Sequence, residues 1–197
     1  MPSGVEMHSS EPNVLEHGGD EGSLSLLRAI RKLLMALITE KRASHGRFLS
    51  MADYFVDRWE RADVMGFGKG TSIYDSCLVL GSVSVGKNTW VGPYTILDGS
   101  GGGLIIGDEC AVSAGVHVYT HDTVEHVISG GQIATAPVKI GDHVYIGPNS
   151  IIAKGVSIGD YVVIGANSLV NSDIPSGMKA FGTPARIVGR SRQEPNN

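Results

Sequence analysis

The 197-residue chain is predicted to fold as an all-β solenoid, a parallel β-helix of six-residue repeats with an N-terminal α-helical segment. Three observations predict it. Fourteen aliphatic residues recur in steps of six: Ile73, Val79, Val85, Val91 and Leu97; then Ile106, Val112 and Val118; then Ile140, Ile146, Ile152, Ile158, Ile164 and Val170. Glycine often follows them, as at Gly86, Gly92, Gly107, Gly141, Gly147, Gly159 and Gly165. Four places on, the residue is mostly small or β-branched, for example Cys77, Thr89, Cys110, Val116, Ser150 and Ser168. A period of six is neither helical nor a simple strand alternation. An amphipathic helix or a β-sandwich would not keep such a period in phase over about a hundred residues.

Within each repeat the aliphatic residue and the small residue can both point inward, so stacked coils bury one another's apolar faces. The third residue after the aliphatic one is Asn88, Gly115, Asn149, Gly155 or Asn167 in five repeats. These types accept the left-handed backbone region that a tight corner requires.

The segments before and after the repeats follow from composition and spacing. Residues 1–22 are polar and Gly-rich and are expected to be disordered. Residues 23–69 form a helical segment. Within it, 23–42 reads as an amphipathic helix with Leu27, Ile30, Leu34, Leu37 and Ile38 on one face and Arg28, Arg31 and Lys32 elsewhere. Packing against protein is favoured for this helix over peripheral contact with a lipid surface, because Leu24, Leu26 and Leu33 widen the apolar side. A second helical stretch, about 51–64, is expected to cap the open end of the solenoid. The solenoid itself occupies 70–176. It is broken first by the Gly-rich run Asp98 to Ile105 and again by a loop over 121–139. Loops inserted in a rigid repeat array are where binding and chemistry concentrate. The array is expected to stop at Ile174-Pro175, and the tail, 177–197, to pack back up to Arg190 and be loose beyond it.

Composition narrows the function classes. With 16 basic and 20 acidic residues, the net charge of −4 argues against nucleic-acid binding. Cys77 and Cys110 fall at inward positions and read as buried apolar thiols, in keeping with a reducing compartment. No signal-peptide pattern and no uninterrupted apolar run of spanning length is seen, so a cytoplasmic location is expected.

His121 opens the large loop within Tyr119-Thr120-His121-Asp122. A histidine leaving a rigid coil is suited to general-base chemistry, and equally to a backbone-satisfied loop position. Asp98 precedes the Gly-rich run, where a carboxylate can accept sugar hydroxyls, orient the histidine, or simply begin a turn. His117, His126 and His143 raise a metal reading, but a fixed three-histidine site would have to include a mobile loop, so no metal is expected.

Over about residues 70–190 the chain resembles the hexapeptide-repeat acyltransferases, in the branch that O-acetylates bacterial sugars and polysaccharides and is related to the maltose and galactoside acetyltransferases. The resemblance implies a left-handed β-helix with three hexads per triangular coil, and acetyl-CoA as donor. It also implies a homotrimer with sites between neighbouring subunits, and a hydroxyl of a small-molecule or glycan acceptor as target. It assigns His121 as the catalytic base, Asp98 and Tyr145 to the acceptor or pantetheine side, and Ala166, Asn171 and Arg186 to the coenzyme. N-acylation of an amino sugar is the alternative activity; a metal-binding, carbonic-anhydrase-like or non-catalytic solenoid is the alternative class. One position departs from the family: a backbone amide that commonly assists in the coil after the loop is replaced by Pro148, which has no N–H.

Overall fold

The computed structural model describes residues 21–191. The stretches 1–20 and 192–197, which hold most of the expected disordered N-terminus and the end of the tail, lie outside the described residues. The chain divides into two compact units, residues 1–48 and 49–197.

The first unit contributes one long helix, α1 (Glu21–His45), with Glu21 favourably placed in its first turn. No helix among the described residues is long and apolar enough to cross a membrane.

The second unit opens with a 3₁₀ turn at Ala52–Tyr54 and then α2 (Arg58–Val64). The continuous helix expected over 51–64 is therefore broken in two. Asp57 explains the break: it sits in extended backbone and its side chain accepts the Trp59 N–H, so it starts a new helix. Fully buried Ala62, on α2, and Phe67, just beyond it, join the same apolar cluster as Ile73, at the first strand.

Sixteen strands follow among the described residues: β1 (Ser72–Ile73), β2 (Leu78–Val85), β3 (Trp90–Val91), β4 (Ile96–Ile106), β5 (Ala111–Val112), β6 (His117–Tyr119), β7 (His121–Asp122), β8 (Ala134–Thr135), β9 (Val138–Ile140), β10 (Tyr145–Ile146), β11 (Ile151–Ile152), β12 (Ser157–Ile158), β13 (Val163–Ile164), β14 (Leu169–Val170), β15 (Met178–Gly182) and β16 (Ala185–Arg190). They stack in three parallel ladders. β1, β3, β5, β10, β13 and β15 form the first. The first halves of β2 and β4 with β6, β11 and β14 form the second, and their second halves with β9 and β12 form the third. The chain visits the ladders in turn, so Tyr145 pairs with Val163 and Ile151 with Leu169, eighteen residues on. Three hexads make one step of the stack.

Thirteen of the fourteen repeat aliphatics are buried, and the other, Val79 in the first coil, is partly so. The small residues four places on have a second role. Thr95 and Ser168 hydroxyls donate to the carbonyls of Gly92 and Gly165 (2.8 and 2.7 Å), and the Cys77 thiol also donates to Gly92. Small donors at that position satisfy corner carbonyls that would otherwise be buried without partners.

Every corner residue three places after a repeat aliphatic from Val85 to Ile164 has positive φ, except where a break intervenes. Asn88, Gly115, Asn149, Gly155 and Asn167 do so as expected, but so do Tyr94, Glu109, His143 and Tyr161. The stack imposes the conformation even on side chains that resist it.

The stack also continues past Pro175. Ile174 bridges to Ile158 and β15 adds a further step in parallel with β13, after which β16 folds back antiparallel to it.

Candidate active site

The Gly-rich run is not a loop. Asp98 to Ile105 lies inside the eleven-residue strand β4, contrary to the loop expected there, and Asp98 is buried at 3% exposure. The physical reason is close backbone approach. A Cβ at Gly99 would lie 2.0 Å from the Ser82 carbonyl oxygen, and one at Gly101 would lie 2.3 Å from the Thr120 carbonyl oxygen. Glycine lets the strand bulge against its neighbours and continue, with the register slipping opposite Ser82.

That bulge brings Asp98 under His121. The Nδ1 of His121 lies 3.3 Å from one Asp98 carboxylate oxygen, and the other oxygen accepts the Ser100 N–H (2.9 Å) and hydroxyl. The Ser100 hydroxyl is itself 3.4 Å from the same imidazole nitrogen. Thr120 fastens the two strands beneath: its hydroxyl donates to the Asp98 carbonyl (2.9 Å) and accepts the Gly101 N–H (2.8 Å). Asp98 thus holds the Nδ1 edge of the ring, while the His121 side chain remains one-third exposed. A carboxylate at Nδ1 favours the tautomer with the proton there, which leaves Nε2 as the basic nitrogen.

The loop after His121 is folded. β7 pairs antiparallel with β8, enclosing helix α3 (Val124–Ser129), which ends on left-handed Gly130. Lys154, in the turn after β11, reaches Asp122 at 2.7 Å. That ammonium, helped by the Val124 N–H, holds the Asp122 carboxyl below its usual range. The tip of the loop exposes Val124, Val127, Ile128 and Ile133.

The other residues singled out from the sequence stand apart. Tyr145 on β10 and Ala166 after β13 belong to the first ladder, Arg186 lies on β16 paired antiparallel to the ladder's last strand, and all three are exposed; Asn171 follows β14 in the second. Among the described residues, no hydrogen bond or ion pair connects any of them to His121. The paired strands fix the register at Pro148: Gly147 donates to the Ile164 carbonyl, and Pro148 accepts from Asn167. Pro148 therefore stands in the turn directly after Gly147, where it offers no N–H. A Cβ at Gly147 would lie 2.4 Å from the Ala166 nitrogen, so Ala166 occupies the corresponding turn one step along the stack.

Ser100, Thr120 and Lys154 complete the site and were not anticipated. Ser100 carried a local signal, since a serine two residues after Asp closes a side-chain turn. Lys154 carried none, because only the stacking aligns it with Asp122. The three histidines of the metal reading are scattered: His117 meets Tyr119, His143 stacks on Tyr161 with centroids 4.6 Å apart, and His126 meets the Gly131 carbonyl. Among the described residues no three His, Cys, Asp or Glu side chains are grouped to hold a metal ion. A cavity of about 340 Å³ lies beside the bulge, lined by Ser82, Gly102, Gly103, Pro137 and Lys139 among others; His121 is not in its wall.

Comparison with known proteins agrees with this repeat geometry. Residues 137–172 match the bacterial transferase hexapeptide (six repeats), and residues 82–120 match the hexapeptide repeat of succinyl-transferase. Nodulation protein L of Rhizobium meliloti (strain 1021) is 48% identical over 89 residues, which cover 44% of this chain and 48% of that protein. The chain thus spans about half the length of that curated relative. Among solved structures, AntD, an N-acyltransferase from Bacillus cereus in complex with dTDP and 3-hydroxybutyryl-CoA, is 28% identical with a TM-score of 0.60, covering 64% of this chain and 72% of AntD. The acetyltransferase domain of PglB from Neisseria gonorrhoeae FA1090, in complex with acetyl coenzyme A, shares the fold at 20% identity and a TM-score of 0.50, covering 62% of this chain and 50% of that one. Both matched segments lie within the strand stack, and the repeats of this chain are similar to those hexapeptide repeats.

Proposed function

We propose that the chain is an acyltransferase that moves an acetyl group from acetyl-CoA to a hydroxyl of a sugar or polysaccharide precursor, with His121 as general base. The observation that carries this reading is the 3.3 Å pair of His121 and buried Asp98 on a rigid strand stack. With the proton on Nδ1 facing Asp98, Nε2 takes the proton of the acceptor hydroxyl as its oxygen attacks the thioester carbonyl. The same nitrogen then returns that proton to the departing thiolate, and the C–S bond breaks as the C–O bond persists. Base catalysis of this kind is worth about 10²–10⁴-fold. Asp98 keeps the ring oriented, and Ser100 holds Asp98.

The stack is read here as a closed, left-handed β-helix, three copies of which form a trimer in the cytoplasm. Tyr145, Ala166, Asn171 and Arg186 of one copy then approach His121 of the next. The exposed apolar tip Val124, Val127 and Ile128 supports burial of this loop against another copy. Arg186 suits the phosphates of the coenzyme, because its guanidinium pairs with phosphate oxygens in a fork. The N–H of Ala166 is a donor available where Pro148 offers none.

A second reading, N-acylation of an amino sugar, is favoured by the likeness to AntD, which has also been solved as a variant with dTDP-4-amino-4,6-dideoxyglucose and coenzyme A. Release of free thiol from acetyl-CoA, followed against a panel of sugars, amino sugars and glycan fragments, separates the two. Turnover with hydroxyl acceptors and its loss in His121→Ala are expected. Turnover confined to amino sugars selects the second reading, and turnover indifferent to His121→Ala removes the residue assignment.

A further inference from the structure

Helix α1 is amphipathic, and among the described residues of its own unit nothing covers its apolar side. Leu26, Leu27, Ile30 and Leu33 are 62, 54, 42 and 52% exposed, while Leu34, Leu37 and Ile38 are partly exposed. At about 100° per residue, these seven side chains span an arc of about 140°. Exposed Arg28, Arg31, Lys32 and Arg42 stand together on the neighbouring arc. The helix holds five basic residues against Glu21 and Glu40, in a chain whose net charge is −4. Just beyond it Phe48 is 71% exposed, with the Arg42 guanidinium 5.5 Å from its ring centre.

This distribution selects among the surfaces that could cover the helix. A seam between copies of the chain calls for a narrower stripe and would bring the same cations of each copy together. The breadth of the arc alone would favour packing against protein, as the sequence suggested, but the Arg and Lys residues that flank it suit the boundary between anionic headgroups and acyl chains. There the leucines leave water while the cations meet lipid phosphates. We propose that α1 lies flat on bilayers that contain anionic phospholipid and docks the protein there. Charge complementarity commits the face to this occupant, and the inference does not depend on the acyl-transfer reading.

The test is flotation of the full chain with large vesicles of phosphatidylcholine alone, or of phosphatidylcholine mixed with phosphatidylglycerol. Binding to the mixed vesicles only, reversed by high salt, is expected. The triple variant Arg28→Gln, Arg31→Gln, Lys32→Gln should weaken partitioning about 100-fold. Ile30→Asp should abolish it, with circular dichroism confirming that each variant keeps the strand stack. Equal binding to both vesicle types, or none to either, overturns the proposal. So does an oligomer that Ile30→Asp disperses in a protein indifferent to vesicles, because a second copy then covers the face.

Discussion

The side chains around Nδ1 of His121 decide which nitrogen of the ring can do chemistry. Asp98 lies 3.3 Å from that nitrogen and is itself held by Ser100, so the ring is oriented from beneath by a buried carboxylate that an exposed serine steadies. Removing the base should be far more costly than loosening its support. His121→Ala is expected to lower kcat about 10²–10⁴-fold with an unchanged melting temperature. Ser100→Ala should cost about tenfold or less, in kcat and not KM, because Ser100 positions Asp98 without touching substrate. A large KM effect would instead make Ser100 a binding residue. Lys154 and Asp122 permit a separate pH test. The Asp122 pKa is depressed in the folded chain, first by its hydrogen bond from Lys154. Its contribution to stability is therefore present above the unfolded pKa, near 3.8, and is lost as pH falls through the lower folded value. Lys154→Met should move the Asp122 midpoint up toward 3.8, read by carboxyl NMR. A midpoint that stays put would assign the depression to the Val124 N–H.

At the scale of elements, β4 is where the repeat yields to the site. Its bulge is tolerated because Gly99 and Gly101 have no side chain where Ser82 and Thr120 backbone atoms stand. Gly101→Ala would place a Cβ 2.6 Å from that of His121 and 2.3 Å from the Thr120 carbonyl oxygen. Backbone cannot yield there as a flexible side chain could. The variant should lose about 1–3 kcal/mol in a denaturant melt and most of its activity, because β7 must shift away from Asp98. Full activity in Gly101→Ala would mean that the Asp98–His121 distance is not critical. This element also marks where the sequence could be read and where it could not. The ladder of Ile73 to Val170 was legible because burial repeats with a fixed period, and both breaks were legible as losses of that period. The Asp98–His121 pair was not, since the glycines that look like a loop serve close packing between strands. Tyr94, Glu109, His143 and Tyr161 were illegible as left-handed corners for a different reason. Their own preferences oppose that conformation by about 1–2 kcal/mol each, and the cooperative stack overrides them.

At the scale of the whole molecule, the arrangement of the candidate residues is itself an argument about assembly. Asp98 and His121 meet within one chain, whereas Tyr145 and Ala166 lie along the first ladder and Arg186 on β16 beside its last strand, with no link to them. If one chain made a complete site, these groups would be expected to converge in it. A site shared between copies accounts for both the separation and the exposed apolar loop tip at Val127 and Ile128, which are 73 and 80% exposed. Subunit complementation tests this directly. His121→Ala and Arg186→Ala proteins, each impaired when alone, are unfolded together, refolded as a mixture and assayed for thiol release from acetyl-CoA. In a shared site, a hybrid trimer pairs an intact His121 from one copy with an intact Arg186 from its neighbour. Random mixing in equal amounts then restores about a quarter of the sites, because each intact residue is present with even odds. If each chain instead builds its own site, every chain carries one defect and mixing restores nothing. Sedimentation of the mixture, giving a particle of three 20.8-kDa chains for each variant, ensures that the absence of recovery reflects site geometry and not failed assembly.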